Sequence, residues 1–221
     1  PDIEFLTEID RKDEIEVLFT MPKIVKEMKL DDYPKLKWIQ YLMAGYDGVD
    51  LTAIRDKGIV FCNAQDIFST SIAEDVFTKI LYFNRNVRQY VENMKSGLWA
   101  PIREEPELTG STALILGVGS IGKEVAKRFK AFEMKVIGYR RGNIAEYGFD
   151  QIITTQNELD EALKISDYVI LALPLTDDTV GMFDMSKLSL MKQTAILINV
   201  SRGQVVNQED LYIALSRKMI R

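Results

Sequence analysis

One stretch decides how this chain folds: Gly117-Val118-Gly119-Ser120-Ile121-Gly122, which has the pattern G-x-G-x-x-G. Alone, this pattern is weakly specific. Here it follows an apolar run, Ala113–Leu116, predicted to be a strand, and it opens an amphipathic stretch, Ile121–Ala131, predicted to be a helix. A strand, a turn and a helix in this order are what a dinucleotide-binding turn requires. The sequence therefore predicts a dinucleotide site here; the alternative is a tight turn that binds no ligand.

Each glycine of the motif has a separate physical reason. Gly117 permits the tight turn, Gly119 lets the backbone approach a pyrophosphate, and Gly122 lets the helix pack closely on the strand. The free N–H groups of the helix N-terminus then face the phosphate charge. We therefore expect all three glycines to belong to a cofactor-binding site.

The end of the next predicted strand indicates which dinucleotide binds. An NAD site places an Asp or Glu about 20 residues on, where the carboxylate bonds the ribose 2′-hydroxyl. This strand instead ends in Arg140 and Arg141. An arginine pairs with a 2′-phosphate through its guanidinium fork. We place Glu146 outside the ribose pocket, so the sequence favours NADP; the alternative is two solvated arginines beside bound NAD.

Outward from the glycine turn, predicted strands and helices alternate. This alternation predicts an α/β protein with a Rossmann-type, doubly wound parallel sheet, and a further strand is expected after Arg221. The predicted strands are Ala113–Leu116, Lys135–Tyr139, Ile152–Thr154, Tyr168–Leu173 and Ala195–Val200, and the predicted helices are Ile121–Ala131, Glu158–Ile165, Met185–Met191 and a last one capped by Asn207.

The first part of the chain shows the same alternation and predicts a second α/β domain. Its predicted strands are Ile3–Leu6, Glu16–Phe19, Leu36–Met43 and Ile59–Asn63, and its predicted helices are Pro22–Met28 and Val49–Lys57. Apolar residues then recur at spacings of three and four from Ser71 to Met94, which predicts one long helix. We place the domain boundary at the start of this helix, with one domain over residues 1–71 and the other over 72–221.

Two loops follow predicted buried strands of the second domain: Leu173-Pro174-Leu175-Thr176 and Asn199-Val200-Ser201-Arg202-Gly203. Ligands of open α/β sheets bind outside the carboxyl ends of the strands. Arg202 would then lie beside a nicotinamide, where a guanidinium suits a 2-oxo acid because it can hold the carboxylate and polarise the carbonyl. The alternative is an exposed arginine in a glycine-containing turn.

A third strand end lies in the first domain. Met43-Ala44-Gly45-Tyr46 follows a predicted strand, and its glycine could expose backbone N–H donors to an anion. A plain turn is the alternative. Ala44 and Gly45 are therefore candidate substrate contacts.

Composition excludes several classes of function. The 221 residues carry a net charge of −5, and no basic stripe indicates nucleic-acid binding. The longest apolar runs are too short to cross a bilayer, and no signal peptide or metal site is predicted. One cysteine, Cys62, rules out a disulfide within the chain and favours the cytoplasm. The sequence has no histidine, the commonest general acid near neutral pH.

Several stretches together resemble the D-isomer-specific 2-hydroxyacid dehydrogenases. The resemblance covers nearly the whole chain, and the most specific part of it is the signature at residues 199–203 with its spacing to the glycine turn. The similar stretches are Glu107–Gly110 with the glycine turn, Ala131–Val136, Leu173–Thr176 with Thr179, Leu197–Gly203 with Val206, Ala44–Asp47 and Ser71–Glu74.

The resemblance implies a Rossmann domain and a second, flavodoxin-like α/β domain, with the active site between them and a homodimer as the assembly. It implies that Arg202 binds the substrate carboxylate and carbonyl, and that Ala44 and Gly45 donate to the carboxylate. It also implies that Ser120 and Ile121 contact the phosphates and that Pro174 and Thr179 line the cofactor groove. Four further residues at the same strand ends are candidate cofactor contacts: Leu173, Asn199, Val200 and Ser201.

The departures from the family pattern are also informative. The family's general acid, a histidine oriented by a glutamate, lies further beyond the arginine than this sequence extends. Glu133 stands where the family often has glycine, and Arg140 stands where NAD-preferring members have Asp.

The leading hypothesis is therefore an oxidoreductase that transfers a hydride between NADP, or NAD, and a small 2-oxo acid or D-2-hydroxy acid. The rival is a non-catalytic protein that senses NAD(P) on the same scaffold, because fold does not fix function. The sequence does not identify the particular acid.

Overall fold

A computed structural model describes residues 4–6, 11–103, 105–142 and 144–221 of the chain. The chain divides into two compact units, Pro1–Ile67 and Phe68–Arg221, each built on its own parallel sheet. This division lies close to residue 71, where the sequence analysis places its boundary. The α/β class is confirmed for both units, while the functional role of each unit stays a prediction.

The first unit contains a three-stranded parallel sheet in the order β1-β2-β3. Short 3₁₀ turns at Lys12–Glu14 and Leu30–Asp32 precede the first and second strands. The strands and helices are β1 (Val17–Thr20), α1 (Pro22–Glu27), β2 (Trp38–Tyr41), α2 (Leu51–Asp56) and β3 (Val60–Cys62).

One face of this sheet forms the core of the first unit. Leu18 of β1 and Ile39 of β2 pack with Val25 of α1 and Ile54 of α2. The residues that alternate with them, such as Phe19, point to the opposite face and are exposed. Successive side chains of a strand point to opposite faces, so Val17 and Phe19 of β1 and Trp38 of β2 lie on an exposed apolar face.

The second unit begins with two helices, α3 (Ser69–Asn84) and α4 (Val87–Lys95), and continues as a series of strands and helices. The remaining elements are β4 (Thr112–Leu116), α5 (Ser120–Ala131), β5 (Lys135–Tyr139), β6 (Gln151–Ile153), α6 (Gln156–Ile165), β7 (Tyr168–Leu171), α7 (Met185–Leu188), β8 (Ile196–Asn199), a 3₁₀ turn (Gly203–Val205) and α8 (Gln208–Ser216).

The sheet of the second unit has the order β6-β5-β4-β7-β8, with every pair parallel. The chain builds outward from β4 through β5 to β6, and then crosses to the other side of β4 to add β7 and β8. This reversal is the topological switch point of a doubly wound sheet, and ligands bind at the carboxyl ends of the strands beside it. The Rossmann-type prediction is confirmed.

Both faces of this sheet are buried. In β4, Leu114 and Leu116 lie in a core formed with α6, α7 and α8, while Ala113 and Ile115 lie in a second core formed with α3 and α5. The sequence of a strand that is buried on both faces is a continuous apolar run. For this reason the sequence identifies β4 and β7 clearly.

The prediction of one helix from Ser71 to Met94 is wrong, because the chain breaks between α3 and α4. Asn86, the residue before α4, has φ of 47° and ψ of 36°, a left-handed conformation that ends the first helix. Asn tolerates this conformation better than most residues, so the apolar period alone could not reveal the break.

Other differences concern the ends of elements. The strand predicted at Ile3–Leu6 begins outside the described residues, and residues 4–6 are not in a strand. Predicted strands that included loop residues are shorter: β2 ends at Tyr41, β7 at Leu171 and β8 at Asn199. Within the part of the chain that the structure describes, every helix is too short or too polar to span a lipid bilayer.

The end of α5 places a non-glycine residue in a strained conformation. Glu133 has φ of 57° and follows the C-cap residue Phe132. Glu133 N donates to Lys130 O at 3.0 Å, and Met134 N donates to Phe129 O at 3.2 Å. This pair of bonds is the Schellman motif, which usually places glycine at the position of Glu133.

We predict that Glu133→Gly raises the free energy of unfolding by about 1 kcal/mol more than Glu133→Ala does. The left-handed conformation costs a residue with a Cβ roughly 1–2 kcal/mol, and the added flexibility of glycine in the unfolded chain offsets part of the gain. Alanine removes the same charge but keeps the Cβ, so the difference between the variants isolates the backbone. Urea denaturation measures both; equal stabilities would show that the backbone at this position is unstrained.

Candidate functional site

The glycine turn joins β4 to α5 and lies against the end of β7. Gly117 has φ of 106°, a conformation that residues with a Cβ rarely adopt. A Cβ on Gly117 would lie 2.4 Å from Ala172 O, so the close approach of the two chain segments also requires glycine. Gly117 N donates to Tyr139 O at 3.0 Å, which joins the turn to the end of β5 as well.

The other two glycines of the motif face different surroundings. A Cβ on Gly122 would lie 2.0 Å from Gly117 O, so the first turn of α5 packs directly on the glycine turn. A Cβ on Gly119 would meet no described atom within 4 Å, and Gly119 has an ordinary φ of −88°. Neither the fold nor the backbone conformation thus requires glycine at position 119, whereas an approaching ligand would.

The N-terminus of α5 opens onto the same space. Gly119 is the N-cap residue and has no side chain with which to cap the helix. Lys123 N donates to Gly119 O at 2.9 Å, so the amides of Ser120, Ile121 and Gly122 precede the first bond of the helical ladder. These amides and the open approach at Gly119 fit a pyrophosphate.

Arg140 directly follows β5, as the sequence predicts, and its N–H donates to Ile153 O at 3.1 Å. Its guanidinium lies 3.6 Å from the carboxylate of Glu146, and its side chain is 30% exposed. The other carboxylate oxygen of Glu146 lies 3.0 Å from Lys123 Nζ. Glu146 therefore bridges the end of β5 and the first part of α5.

The sequence analysis places Glu146 outside the ribose pocket, whereas in the structure its carboxylate pairs with Arg140, the residue expected to read the ribose. The chain after Arg141 returns to the sheet, because the ring of Phe149 lies over Gly138 of β5, where a Cβ would be 2.7 Å from it. Asp150 fixes the return by accepting a bond from Val136 N at 2.7 Å. This anchored return brings Glu146 back to Arg140.

Arg141 also has an acidic partner. Its guanidinium lies 2.9 Å from the carboxylate of Asp178, and both side chains are largely exposed, at 78% and 79%. Arg140 and Arg141 thus both have acidic partners, so a 2′-phosphate bound here would meet fixed negative charge as well as two guanidinium groups. Exposed pairs of this kind contribute little energy, so Arg141 can exchange partners readily.

The loop after β7 is held by the hydroxyl of a buried threonine. Thr179 Oγ1 donates to Pro174 O at 2.7 Å and accepts from Thr176 N at 2.8 Å. Leu173, at the start of the loop, packs against the apolar core. Thr179 thus fixes the path of Leu173 and Pro174 along the sheet edge, while its contact with a cofactor stays a prediction.

The loop after β8 is held by Asn199. Its Oδ1 accepts bonds from Ser201 N at 2.9 Å and from Ser201 Oγ at 2.7 Å, and its Nδ2 donates to Arg202 O at 2.8 Å. Val200 N continues the sheet by donating to Leu171 O at 3.0 Å. Arg202 Nη1 donates to Ser201 O at 3.0 Å, and the side chain is half-buried. Asn199 therefore determines the loop conformation that presents Arg202.

The second unit thus brings the predicted residues after β4, β5, β7 and β8 to one edge of its sheet. Ala44 and Gly45 lie in the first unit, after β2, where both are half-buried. Asn63 Nδ2 donates to Ala44 O at 2.7 Å and fixes that turn. The sequence analysis missed the roles of Lys123, Glu146 and Asn63, since none of them belongs to a recognisable motif.

Comparison with protein families agrees with this architecture. Residues 77–221 match the NAD binding domain of the D-isomer specific 2-hydroxyacid dehydrogenases, and residues 2–141 match the catalytic domain of the same family. The chain belongs to this family. The match to the NAD binding domain supports a nicotinamide cofactor.

Three similar proteins illustrate the range of the family. Glyoxylate reductase from Pyrococcus furiosus is 32% identical over 96% of this chain and 66% of its own length. The structure of an acyclic imino acid reductase (Bsp5) with NADPH and D-Arg has a TM-score of 0.83 and 30% identity, over 96% of this chain and 68% of that one. D-Lactate dehydrogenase from Aquifex aeolicus, with NAD and lactic acid, has a TM-score of 0.80 and 30% identity, over 97% of this chain and 65% of that one.

The chain spans 38% of the length of a similar D-3-phosphoglycerate dehydrogenase from Methanocaldococcus jannaschii and 66% of the Pyrococcus furiosus enzyme. The activity, substrate and assembly of the whole protein are therefore matters for proposal.

We predict that Gly119→Ala weakens NADH and NADPH binding at least tenfold and changes the free energy of unfolding by less than about 1 kcal/mol. A methyl group at position 119 meets open space in the fold but obstructs hydrogen bonds to a charged pyrophosphate, which contribute roughly 1.5–3 kcal/mol each. Fluorescence titration and thermal unfolding without cofactor measure the two effects.

The matched variant is Gly122→Ala, whose Cβ would clash with Gly117 O. It should lower the stability by about 3 kcal/mol, as overpacking of a close contact does. Unchanged cofactor affinity in Gly119→Ala would show that no phosphate approaches this residue.

Proposed function

We propose that the protein is an oxidoreductase that transfers a hydride between a nicotinamide dinucleotide phosphate and a small 2-oxo acid or D-2-hydroxy acid. One observation carries the proposal: Asn199 holds Arg202 at the same sheet edge as the glycine turn. A dinucleotide site alone would suit many enzymes, whereas an arginine in the neighbouring loop of the same edge would select an anionic substrate with a polarisable carbonyl.

A nicotinamide dinucleotide held by the glycine turn and the N-terminal amides of α5 would supply the hydride chemistry when bound. Arg202 holds the substrate carboxylate and stabilises the negative charge that develops on the carbonyl oxygen. The backbone N–H groups of Ala44 and Gly45 are proposed as further donors to the carboxylate. The proton is proposed to come from a histidine general acid, as the family resemblance implies, and the 221 residues contain no histidine.

NADP is the cofactor that we propose, with NAD as the alternative. The support is Arg140, whose half-buried guanidinium follows β5, where an NAD site would place a carboxylate. Glu146 partly neutralises Arg140, so the preference for NADPH should be about tenfold, at the lower end of what a charge-assisted hydrogen bond provides.

A non-catalytic NAD(P)-sensing protein is the second candidate. It would use the same glycine turn, because a Rossmann scaffold does not by itself specify chemistry. Arg202 and its shaped loop favour the enzyme, since a sensor has no need of a guanidinium beside the nicotinamide. Turnover of a 2-oxo acid by the full-length protein separates the two candidates.

We also propose that the first unit is the substrate domain and the second the nucleotide-binding domain. A homodimer in the cytoplasm is the proposed assembly. Apolar side chains exposed on and after α3 and α4 support the dimer, among them Phe83, Val87, Val91 and Trp99.

Arg202→Ala in the full-length protein should reduce kcat/KM for a 2-oxo acid such as glyoxylate by about 100- to 1000-fold. Loss of one preorganised oxyanion donor has this effect, and Arg202 is also proposed to hold the carboxylate. The Kd of NADPH should change little. Arg217→Ala, at the C-cap of α8, is the matched control and should keep full activity. An Arg202→Ala enzyme with unimpaired kcat/KM would exclude the assigned role.

Titration with both reduced cofactors tests the proposed preference. Wild-type protein should bind NADPH about tenfold more tightly than NADH, and Arg140→Asp should reverse the order, because a carboxylate bonds the 2′-hydroxyl and repels a 2′-phosphate. Protein fluorescence measures each Kd. Equal values in the wild-type protein, or tighter NADH, would overturn the NADP assignment and leave the dehydrogenase proposal standing.

A further inference from the structure

The cofactor edge contains a carboxylate that the proposed reaction does not use. Glu146 places one oxygen 3.0 Å from Lys123 Nζ and the other 3.6 Å from a guanidinium nitrogen of Arg140. Lys123 belongs to the helix whose N-terminus faces the pyrophosphate site, and Arg140 follows the strand that ends at the ribose site. A single negative charge therefore lies between two cations of the predicted cofactor-binding surface.

The structure fixes Glu146 in this position. Gly148, with φ of 91°, turns the chain beside Ala126 of α5, and the ring of Phe149 lies against Gly138 of β5. Asp150 then makes two backbone bonds with Val136, donating from its N–H at 2.8 Å and accepting at its carboxylate at 2.7 Å. The segment after Glu146 is therefore anchored to both α5 and β5, which holds the backbone at this position close to Lys123 and Arg140.

Burial distinguishes Glu146 from the other carboxylate at this edge. The side chain of Glu146 is 23% exposed and that of Arg140 30%, whereas Asp178 and Arg141 are each nearly four-fifths exposed. Water and salt screen an exposed pair strongly and a partly buried pair less. The charge of Glu146 should therefore interact appreciably with a bound ligand, while the charge of Asp178 should be largely screened.

We propose that Glu146 is a specificity-determining residue that limits the preference for a 2′-phosphorylated dinucleotide. Its carboxylate engages Arg140 and Lys123, so a 2′-phosphate has to share these cations with it and is repelled by its charge. NADH carries only hydroxyls at this ribose and is little affected. The inference rests on the proposed cofactor site, but not on the identity of the substrate.

The test is the ratio of two dissociation constants in the full-length protein, measured by fluorescence titration with NADPH and NADH. Glu146→Gln keeps the size of the side chain and removes its charge. It should tighten NADPH binding about tenfold, because one screened charge interaction at close range has about this effect. It should change NADH binding less than twofold. Asp178→Asn is the matched control and should change the ratio less than threefold.

Adenosine 2′,5′-bisphosphate and adenosine 5′-phosphate provide a second pair of ligands without a nicotinamide. The same variant should favour the 2′-phosphorylated member by a similar factor. High salt should reduce the difference between Glu146→Gln and wild type, because the effect is electrostatic.

Retained NADH binding shows that the variant is folded. If Glu146→Gln loses NADH binding, Glu146→Asp is used as the test variant instead. Its shorter side chain withdraws the carboxylate from both cations, so it should shift the NADPH-to-NADH ratio in the same direction. An unchanged NADPH-to-NADH ratio in the folded variant would overturn the inference. Failure of the wild-type protein to bind either dinucleotide would instead overturn the proposed function.

Discussion

The close approach of Gly117 to the carbonyl of Ala172 is the contact on which the second unit depends. At a distance of 2.4 Å from a hypothetical Cβ, the carbonyl leaves room only for hydrogen on Gly117. A larger residue would separate the ends of β4 and β7, which pair directly up to Leu116 and Leu171. Gly122 of α5 packs directly on the same turn. The turn therefore determines both the position of α5 and the spacing of the strand ends at the candidate site.

The loops after β7 and β8 lie at this sheet edge, and each is shaped by its own internal hydrogen bonds. The hydroxyl of Thr179 and the amide of Asn199 satisfy backbone groups of their own loops, so each loop is held in shape by its own hydrogen bonds. Preorganisation of this kind matters for an enzyme, because a donor that is already in place costs no reorganisation when charge develops. Arg202 is half-buried in such a loop, and this placement, more than its charge, distinguishes it from a surface arginine.

The sequence predicts the parts of this protein that depend on local pattern. Apolar runs identify β4 and β7 because both faces of each strand are buried, and glycine spacing identifies the turn because Gly117 and Gly122 each meet a separate steric demand of the fold there. The break at Asn86 was missed because the apolar stripe continues across it, and strand ends were predicted too long because apolar loop residues such as Leu173 extend the runs. The roles of Thr179 and Asn199 as loop-shaping residues became visible only with the structure.

Charge contacts were the least predictable feature, and the reason is geometrical. Arg140 and Arg141 lie next to each other in the sequence, yet their carboxylate partners come from different places, Glu146 after a turn and Asp178 from the loop after β7. The sequence at the end of β5 therefore shows which cationic side chains are present. It does not show how far neighbouring carboxylates neutralise them. The available charge depends on where the chain goes after the motif, and here the packing of Phe149 on Gly138 brings it back to the site. Cofactor preference in such a sheet is thus a property of the strand end together with the turn that follows it, and two sequences with the same strand-end motif can differ in preference because their turns differ.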